Sequence, residues 1–415
     1  MDKKLANLVK KEGIRQNKTI DLIASENIAS PDVREMLRTP LTNKYSEGYP
    51  GRRYYPGNEF CDEIENLARS YALKAFGLNP EKWSANVQAY SGSPANLAVY
   101  MGLINPGETI MGMKLSYGGH LTHGHLVSVT GKVFKSVQYE TDPETGLIDY
   151  EALRALAREH KPRIIISGAT AYPRKIDFKK FGEIADEVGA YHVSDISHIA
   201  GLVVVGEHPS PFPYAHAVMT TTHKSLRGPR GAVIFARKEP LKRGDGKLTI
   251  AEAIDKAVFP GLQGGPHNNQ TAAIAQAFYE VLRPGFKKYA KQIVKNAAAL
   301  SEGLKNRGFN LVADGTDNHL ILIDLKNIGL TGQEAESALQ KNGIIANRNS
   351  VPGDASPFKP TGIRLGVPCV TTRGMKEREM KKIAEYFEAV LIRGGNALKE
   401  TESLAKKFDI KKLLK

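Results

Sequence analysis

The middle of the chain alternates short β-rich runs with helical stretches, and this alternation constrains the fold more than any other feature. Several runs are apolar throughout instead of alternating with polar residues, which is typical of strands covered on both faces. The six strand candidates are TIMGM (109–113), VFKSVQY (133–139), RIIISG (163–168), AYHVSD (190–195), AVMTTT (217–222) and AVIFAR (232–237).

Helical patterns separate these runs, namely SPANLAVYMGLI, IDYEALRALAREH and FKKFGEIADEVG. Asp149 and Asp177 stand where two of these helices are predicted to begin, and aspartate is a favoured N-cap residue. We therefore predict an α/β fold in which helices sandwich a mainly parallel central sheet.

A second α/β pattern follows a helical region at about residues 267–308. It contains the strand candidates HLILIDL (319–325), IIAN (344–347) and GIRLG (362–366), the helix TGQEAESALQKNG and a long helix over 373–392. This pattern predicts a smaller C-terminal α/β domain beside a large one. The predicted divisions are an N-terminal arm over 1–30, a large domain over 31–280, a small domain over 281–393 and a basic tail over 394–415.

The chain is basic, with 58 Lys and Arg against 44 Asp and Glu and a formal net charge of +14. Half of this excess lies in the two ends, +4 over residues 1–20 and +3 over residues 394–415. Both ends have the pattern of amphipathic helices with solvated charged faces. Since no zinc-finger, RNP-type aromatic or leucine-zipper motif accompanies the charge, it gives little support for a nucleic acid partner.

Other classes of protein are excluded by patterns that the sequence lacks. No run of about 18 apolar residues predicts a membrane span, and the N-terminus has no apolar run typical of a signal peptide. Cys61 and Cys369 are too few for a disulfide framework, which fits a reducing cytosol and a cytoplasmic location. Neither the G-x-G-x-x-G nor the P-loop pattern occurs, which argues against NAD and ATP.

Two predicted strand ends carry residues suited to chemistry. His223 and Lys224 follow the strand AVMTTT and precede a loop rich in Gly, Pro and Arg. Lys224 could bind a phosphate, act as a Schiff-base amine, or be an ordinary solvated lysine. Asp195 and His198 follow another buried strand, at the sheet edge where α/β proteins bind ligands. Asp195 could pair with a protonated ring nitrogen of pyridoxal phosphate, or it could cap a helix or anchor a loop.

Three glycine-rich segments are candidate ligand contacts. Ser91-Gly92-Ser93 opens a predicted helix, where free N–H groups and hydroxyls could hold a phosphate or merely cap the helix. Gly264-Gly265 precedes another helix and could cradle an anion in the same way. His120, His123 and His125 lie in KLSYGGHLTHGH without the framing or acidic neighbour of a zinc site. We predict no metal, and instead an imidazole lying flat on a cofactor ring.

The segment NKYSEGYPGRRYYPG places Glu47 among several tyrosines and two arginines. A carboxyl group in an aromatic pocket tends to have a raised pKa, which suits acid/base catalysis, although a surface loop with scattered tyrosines has the same pattern. Arg364 lies in a predicted strand of the small domain, where an isolated arginine often clamps a carboxylate.

Six motifs together resemble those of the serine hydroxymethyltransferase family. They are NKYSEGYPGRRYY, SGSPAN, GGHLTHG, TTTHKSLRGPRG, QGGP and SPF…GIRLG, and the resemblance runs from LIASEN near residue 22 to the helix ending near 392. It implies a fold-type I pyridoxal-phosphate transferase whose large domain binds the cofactor, and a homodimer with shared active sites. It also implies reversible transfer of the serine hydroxymethyl carbon to tetrahydrofolate, giving glycine and 5,10-methylenetetrahydrofolate.

The resemblance also implies roles for individual residues. The catalytic set is Lys224 as the Schiff-base lysine, Asp195 on the pyridine nitrogen, His120 stacked on the ring, His223 on the phosphate side and Glu47 as the acid/base group from the partner subunit. Further cofactor contacts are Ser91, Gly92 and Ser93 at the phosphate, Thr170 and His198 at the phenolic oxygen, and Tyr45, Gly264 and Gly265 from the partner subunit. Substrate contacts are Arg364 and Ser25 for the amino acid carboxylate, with Tyr45 and Glu47, and Tyr55, Leu115, Gly119, Leu121, Asn349, Ser356, Pro357 and Phe358 for the folate.

Three positions depart from the family's usual residues. Thr170 stands in place of Ser, Ser194 in place of Val and Ser197 in place of Ala, and none of these removes a catalytic group. A folate-independent aldolase for threonine or other β-hydroxy amino acids is the alternative enzyme, against which Glu47, Tyr55 and GGHLTHG argue. An RNA-binding protein that keeps the fold without the reaction is the alternative of a different class.

Overall fold

The computed structural model describes residues 1–243, 246–354 and 359–413. Ser356, Pro357 and Phe358, which we predict to contact folate, lie outside the described residues. The α-helices of the described residues are α1 (Lys3–Lys18), α2 (Pro31–Leu37), α3 (Glu59–Ala75), α4 (Gly92–Leu103), α5 (Val129–Val133), α6 (Tyr150–His160), α7 (Phe178–Val188), α8 (Ala200–Val205), α9 (Ile250–Lys256), α10 (Asn268–Val281), α11 (Pro284–Lys305), α12 (Gly332–Lys341), α13 (Pro368–Thr372), α14 (Glu377–Phe387) and α15 (Leu398–Lys407).

The strands of the described residues are β1 (Ile20–Asp21), β2 (Gly48–Tyr49), β3 (Arg52–Arg53), β4 (Trp83–Asn86), β5 (Thr109–Met113), β6 (Lys135–Tyr139), β7 (Ile164–Ser167), β8 (Tyr191–Asp195), β9 (Ala217–Thr221), β10 (Ala232–Arg237), β11 (Asn310–Leu311), β12 (Leu320–Asp324), β13 (Ile344–Ile345), β14 (Asn347–Asn349) and β15 (Gly362–Gly366). All six strands predicted for the middle of the chain are present, although β6 begins two residues later than predicted.

Seven of these strands form a central sheet in the order β4-β10-β9-β8-β7-β5-β6. Neighbouring strands from β9 to β6 run parallel, and β10 is antiparallel to both β9 and β4. The predicted α/β class with a mainly parallel sheet is therefore confirmed. Sequence analysis missed β4, because WSAN is short and half polar although the structure buries all four residues.

Both faces of the central sheet are covered by helices. Ile164 and Ile166 of β7 belong to an apolar cluster with residues of α4 and α9, including Tyr100. Ile165, between them, belongs to the cluster on the opposite face with Phe181 of α7. Since successive strand side chains point to opposite faces, a strand covered on both sides must be apolar throughout, as the sequence predicts.

The two predicted helix starts are also confirmed. Asp149 accepts hydrogen bonds from the first backbone N–H groups of α6, and Asp177 does the same for α7. These caps satisfy donors that have no partner within the helix, so each helix begins at a defined residue.

A smaller antiparallel sheet follows in the order β11-β12-β15-β14. The predicted strand IIAN is divided, since Ile344–Ile345 pairs instead with Ile20–Asp21 near the N-terminus. The long helix predicted over 373–392 begins only at Glu377, because Gly374 has a φ of 93° that no helix contains. A π-helical turn over Glu388–Ile392 extends α14. The domain boundaries stay a prediction.

The basic C-terminal tail packs against the N-terminal helix region instead of being only solvated. Arg373 is buried and donates hydrogen bonds to the backbone carbonyls of Asn17, Thr19, Ala405 and Phe408. Arg373 directly follows α13, so its guanidinium joins the N-terminal and C-terminal segments of the chain to the end of this helix. No helix within the described ranges combines the length and apolarity that crossing a membrane requires.

Candidate active site

A cavity of about 410 Å³ lies where the carboxyl ends of the parallel strands meet the N-terminus of α4 and strand β15. Its volume suits a small cofactor with part of a substrate. Predicted cofactor residues that line it are Ser91, Gly92, Ser93, His120, Thr170, His198, His223 and Lys224. Predicted substrate residues that line it are Ser25, Leu115, Gly119, Leu121 and Arg364.

Lys224 lies in the turn between β9 and β10. Asn27 from the N-terminal segment donates to the Lys224 carbonyl at 2.8 Å, and the Arg227 N–H donates to it at 3.0 Å. The side chain is buried, and no hydrogen-bond or acidic ion-pair partner of its amine lies among the described residues. The structure therefore excludes one of the three alternatives for Lys224, that it is an ordinary lysine exposed to solvent.

The amine of Lys224 has a lowered pKa. The pKa of Lys224 is lowered to about 8, chiefly by burial; the Asp195 carboxylate opposes this shift, and the positive charges of Arg364 and Arg230 add to it. A lysine in this range is partly neutral near neutral pH, which is the state that attacks a carbonyl carbon.

Asp195 ends β8 just behind the cavity lining and is held by three donors. Asn96 of α4 donates to Oδ2 at 2.9 Å, and the Ser197 N–H donates to Oδ1 at 3.0 Å. His123 Nε2 lies 3.3 Å from Oδ2, and because His123 Nδ1 accepts the His120 N–H, Nε2 carries the proton and donates it. Three donors therefore fix the orientation of the Asp195 carboxylate, which makes more contacts than a residue that only caps a helix.

The charge state of Asp195 follows from these contacts. Burial alone would raise the pKa of its carboxyl, but the hydrogen bond from His123 and the nearby amine of Lys224 hold that pKa below its usual range. A buried carboxylate that stays ionised can bind a protonated ring nitrogen.

The start of α4 forms a cup of unused donors. Ser91 occupies the N-cap position, but its hydroxyl makes no capping hydrogen bond. The alternative that this serine merely caps the helix is therefore excluded. A Cβ on Gly92 would lie 2.8 Å from Thr221 Cγ2, so only glycine leaves the backbone this close to β9. His223 Nδ1 is buried without a partner in the described part of the chain. Free N–H groups and hydroxyls at a helix N-terminus suit a phosphate.

Arg364 of β15 brings a fixed cation to the opposite wall. Its guanidinium donates to Asn347 Oδ1 at 3.1 and 3.2 Å and to the Thr170 carbonyl at 2.9 Å. Burial lowers its pKa to about 10, so it stays protonated, and none of the described carboxylates forms an ion pair with it. A half-buried cation without a counter-ion suits an anionic ligand group.

The family model for serine hydroxymethyltransferase matches residues 1–387. The chain belongs to the serine hydroxymethyltransferase family. It is therefore a fold-type I pyridoxal-phosphate-dependent transferase, as predicted, and its family acts in one-carbon metabolism on serine, glycine and tetrahydrofolate. The match ends with α14, so α15 and the rest of the basic tail lie beyond it.

The residues present fit the family's cofactor. A phosphate matches the cup at Ser91 and Gly92, where the Ser91 hydroxyl makes no capping hydrogen bond and His223 Nδ1 lacks a partner among the described residues. An aldehyde matches the buried amine of Lys224, and a ring nitrogen matches the Asp195 carboxylate. The pKa of His120 is lowered to about 4, chiefly by burial, which leaves a neutral flat ring in the cavity wall.

A second group of predicted site residues lies together but outside this lining. Tyr45 donates its hydroxyl to Glu47 Oε1 at 2.9 Å, and its ring contacts Tyr55 edge-on at a centroid distance of 5.1 Å. A Cβ on Gly264 would lie 3.0 Å from Glu47 Oε1, and one on Gly265 would lie 2.9 Å from the Tyr45 ring. These five residues, which we call the Glu47 cluster, assemble within one chain, and Tyr45 and Tyr55 are exposed.

The departures from the family's usual residues have defined contacts. Thr170 donates its hydroxyl to the carbonyls of Gly119 and Gly118, at 3.0 and 3.2 Å, so its proton is already engaged within the protein. Ser197 accepts the Thr221 N–H at 3.0 Å, and Ser194 accepts the Ser167 hydroxyl at 3.1 Å. None of the three blocks the cavity.

Sequence reasoning missed several residues of the site, and it named His123 without its contact to Asp195. Asn96 and His123 orient Asp195, and the signal for Asn96 was a polar residue inside the otherwise apolar helix SPANLAVYMGL. Glu26, Thr221 and Arg230 also line the cavity; Glu26 lies within LIASEN, and Thr221 and Arg230 lie within TTTHKSLRGPRG, but none of the three was predicted as a site residue. Asn349, predicted to contact folate, ends β14 but is not part of the lining.

The three histidines of the glycine-rich segment have separate contacts. His120 faces the cavity, His123 bonds Asp195, and His125 Nδ1 accepts the Val127 N–H at 3.4 Å. Among the residues that the structure describes, no three His, Cys, Asp or Glu side chains are grouped to hold a metal ion.

Proposed function

We propose that this protein is a glycine hydroxymethyltransferase that transfers the hydroxymethyl carbon of serine to tetrahydrofolate and works as a homodimer with shared active sites. The observation that carries the proposal is the cavity itself, which combines the reactive amine of Lys224 with the unpaired cation of Arg364. An amine for an aldehyde cofactor and a cation for an amino acid carboxylate are what such a transfer requires.

Pyridoxal phosphate, when bound, supplies a ring that accepts the electron pair released from a bond at the amino acid Cα. Lys224 would hold its aldehyde, Asp195 would keep its ring nitrogen protonated, and His120 would cover the ring face. Ser91, Gly92, Ser93 and His223 would hold the phosphate, with Tyr45, Gly264 and Gly265 of a second copy.

Arg364 would bind the carboxylate of serine, with Ser25 beside it. The hydrogen bonds of the guanidinium to Asn347 and to the Thr170 carbonyl hold it in one orientation before any ligand arrives. Gly366 helps to place Ser25, because its N–H donates to the Leu22 carbonyl at 2.7 Å and thus docks the N-terminal segment on β15. A pre-oriented cation loses less entropy when it binds.

Glu47 would move a proton at the serine hydroxyl from across the dimer. Two observations support this arrangement: the Glu47 cluster lies outside the cavity lining of its own chain, and Tyr45, Tyr54 and Tyr55 are exposed there. Exposed aromatic residues that are grouped together mark interaction surfaces. We propose that a second copy covers this surface and that each chain supplies its Glu47 cluster to the other's cavity.

The folate would bind at the cavity mouth against Tyr55, Leu115, Gly119, Leu121 and Asn349. Gly119 lets the backbone of this wall turn tightly, since a Cβ there would lie 1.9 Å from the Met113 carbonyl oxygen. We also propose a cytoplasmic location, because Cys61 and Cys369 are both free and buried, which fits a reducing compartment.

The test measures the cofactor and the reaction separately. The purified protein is expected to show a visible absorbance band with pyridoxal phosphate, and Lys224→Ala should lose both the band and turnover. A protein that gains no absorbance with added cofactor would refute the proposal. Serine cleavage should depend on added tetrahydrofolate, whereas equal cleavage without it would identify the folate-independent aldolase instead.

A further inference from the structure

A pair of buried histidines lies at the back of the cavity. His198 lines the cavity, and its Nδ1 is 3.2 Å from Nε2 of His319, the residue that precedes β12. The two side chains are almost completely buried, with 3% and 0% of their surfaces exposed. The pair therefore links the loop after β8 of the central sheet to the smaller sheet.

Both rings are neutral at neutral pH. Burial lowers the pKa of His319 to about 3, and the charges of Arg364 and Lys224 act in the same direction. Burial also lowers the pKa of His198 well below its usual value. A neutral imidazole has one N–H and one bare nitrogen, so one ring of the pair must donate to the other.

The outer nitrogen of His319 indicates which ring donates. His319 Nδ1 is buried and has no hydrogen-bond partner anywhere in the described ranges. If the proton were on Nδ1, a buried N–H would remain unpaired, which is rare in folded proteins. With the proton on Nε2, His319 donates it to His198 Nδ1. The proton of His198 must then lie on its own Nε2.

We infer that His319 is a positioning residue that fixes the tautomer of His198, so that His198 presents Nε2–H to the cavity. The two residues predicted to lie at the cofactor's phenolic oxygen are His198 and Thr170. Thr170 already donates its hydroxyl to the Gly118 and Gly119 carbonyls, so the N–H of His198 is the donor left for that oxygen. This last step rests on the proposed function, since the phenolic oxygen belongs to pyridoxal phosphate.

The tautomer is measured on the full-length protein without cofactor, labelled with ¹⁵N-histidine. Side-chain ¹⁵N spectra distinguish a protonated from a bare ring nitrogen, and His198→Asn assigns the signals of His198. We expect a bare Nδ1 and a protonated Nε2 on His198. In His319→Leu, the proton of His198 should redistribute between the two nitrogens, whereas His319→Gln, whose amide N–H can replace the donor, should retain the wild-type state.

The second readout is the affinity of the same variants for pyridoxal phosphate. His319→Leu should weaken binding about tenfold, the value of one typical hydrogen bond, while His319→Gln should stay within about threefold of wild type. His216→Gln is the matched control, because His216 is another buried histidine, packed edge-on against Tyr191 and absent from the cavity lining. It should change neither the spectrum of His198 nor the affinity.

A proton on His198 Nδ1 in the wild-type spectrum would overturn the inference, and this reading needs no variant to fold. Unchanged His198 signals in His319→Leu would overturn it as well. If His319→Leu does not fold, His319→Asn replaces it, because its shorter amide does not reach His198. A protein that has the expected tautomer but binds no pyridoxal phosphate would contradict the proposed function and leave the tautomer assignment standing.

Discussion

Ser197 Oγ accepts the backbone N–H of Thr221 at 3.0 Å. This bond joins the loop after Asp195 to the end of β9, three residues before Lys224. The backbone N–H of the same serine donates to Asp195 Oδ1 at 3.0 Å. One residue therefore holds the carboxylate that would bind the ring nitrogen and the strand that carries the amine in a fixed relation.

Replacing Ser197 by Ala should loosen the fixed geometry between Asp195 and β9 while Asp195 and Lys224 both remain in the site. The Thr221 N–H would be left buried and unpaired, which costs about 1–3 kcal/mol. We expect a lower thermal midpoint and weaker binding of pyridoxal phosphate, measured by titration of the visible band. Ser194→Ala is the control, because the Ser194 hydroxyl bonds Ser167 and does not reach β9. Equal cofactor affinity in Ser197→Ala and wild type would contradict this role.

Arg364→Lys should separate substrate binding from cofactor binding. Lysine keeps the positive charge but loses the planar fork that Asn347 and the Thr170 carbonyl hold in place. We expect the KM for serine to rise by about 10- to 100-fold, the value of one or two charge-assisted hydrogen bonds, while the affinity for pyridoxal phosphate stays near wild type. A KM within twofold of wild type would show that the amino acid carboxylate binds elsewhere.

Glu47→Gln and Lys224→Ala together test the shared active site. Each variant alone should be inactive, and Glu47→Gln should still bind the cofactor. If each chain supplies Glu47 to the other's cavity, a mixed dimer has one site with both defects and one intact site. Unfolding and refolding an equal mixture should therefore restore about a quarter of wild-type activity. An inactive mixture that has exchanged subunits would place Glu47 in the cavity of its own chain.

Glu26 provides a comparison for Glu47, since it lines the cavity within one chain. We expect Glu47→Gln to lower kcat by about 10²–10⁴-fold, the usual range for loss of an acid/base group, with Glu26→Gln lowering it far less. The measurement is steady-state turnover of serine with saturating tetrahydrofolate. The reverse order of the two effects would assign the proton transfer to Glu26.

Buried histidines should make the protein lose stability in mild acid. Burial lowers the pKa of His192 to about 4, so between this value and about 6.5 the unfolded chain binds a proton that the folded chain does not. Stability therefore falls as the pH drops from 7 to 5, by about 2 kcal/mol for this residue alone. Chemical unfolding at the two pH values should show a smaller loss for His192→Gln than for wild type. An equal loss in His192→Gln and wild type would contradict this assignment.

Much of the fold could be predicted because the buried strands have an unambiguous pattern. RIIISG and AVIFAR are apolar on both faces, and Asp149 and Asp177 are local capping signals that need no tertiary information. The strand Trp83–Asn86 could not be predicted, because Ser84 and Asn86 are polar and become buried only when β10 pairs with them. Gly374 shows the same limit, since its backbone conformation delays to Glu377 the start of a helix that the periodicity alone would begin at residue 373.

The site was predictable where its residues follow strand ends or carry family motifs, as Lys224 and Asp195 do. The contacts of Asn96 and His123 with Asp195 were missed because these residues meet only after folding, from 99 and 72 residues away in the chain. The bond between His198 and His319 spans 121 residues and has no local signal at all. Sequence patterns thus predicted the groups that do chemistry better than the groups that orient them.

Serine labelled with ¹³C at its hydroxymethyl carbon tests the central claim most directly. With the holoenzyme and tetrahydrofolate, the account predicts that the label appears in 5,10-methylenetetrahydrofolate in equal amount to the glycine formed, and that Lys224→Ala forms neither product. Glycine formed at the same rate without tetrahydrofolate, with the label released as free formaldehyde, would contradict it.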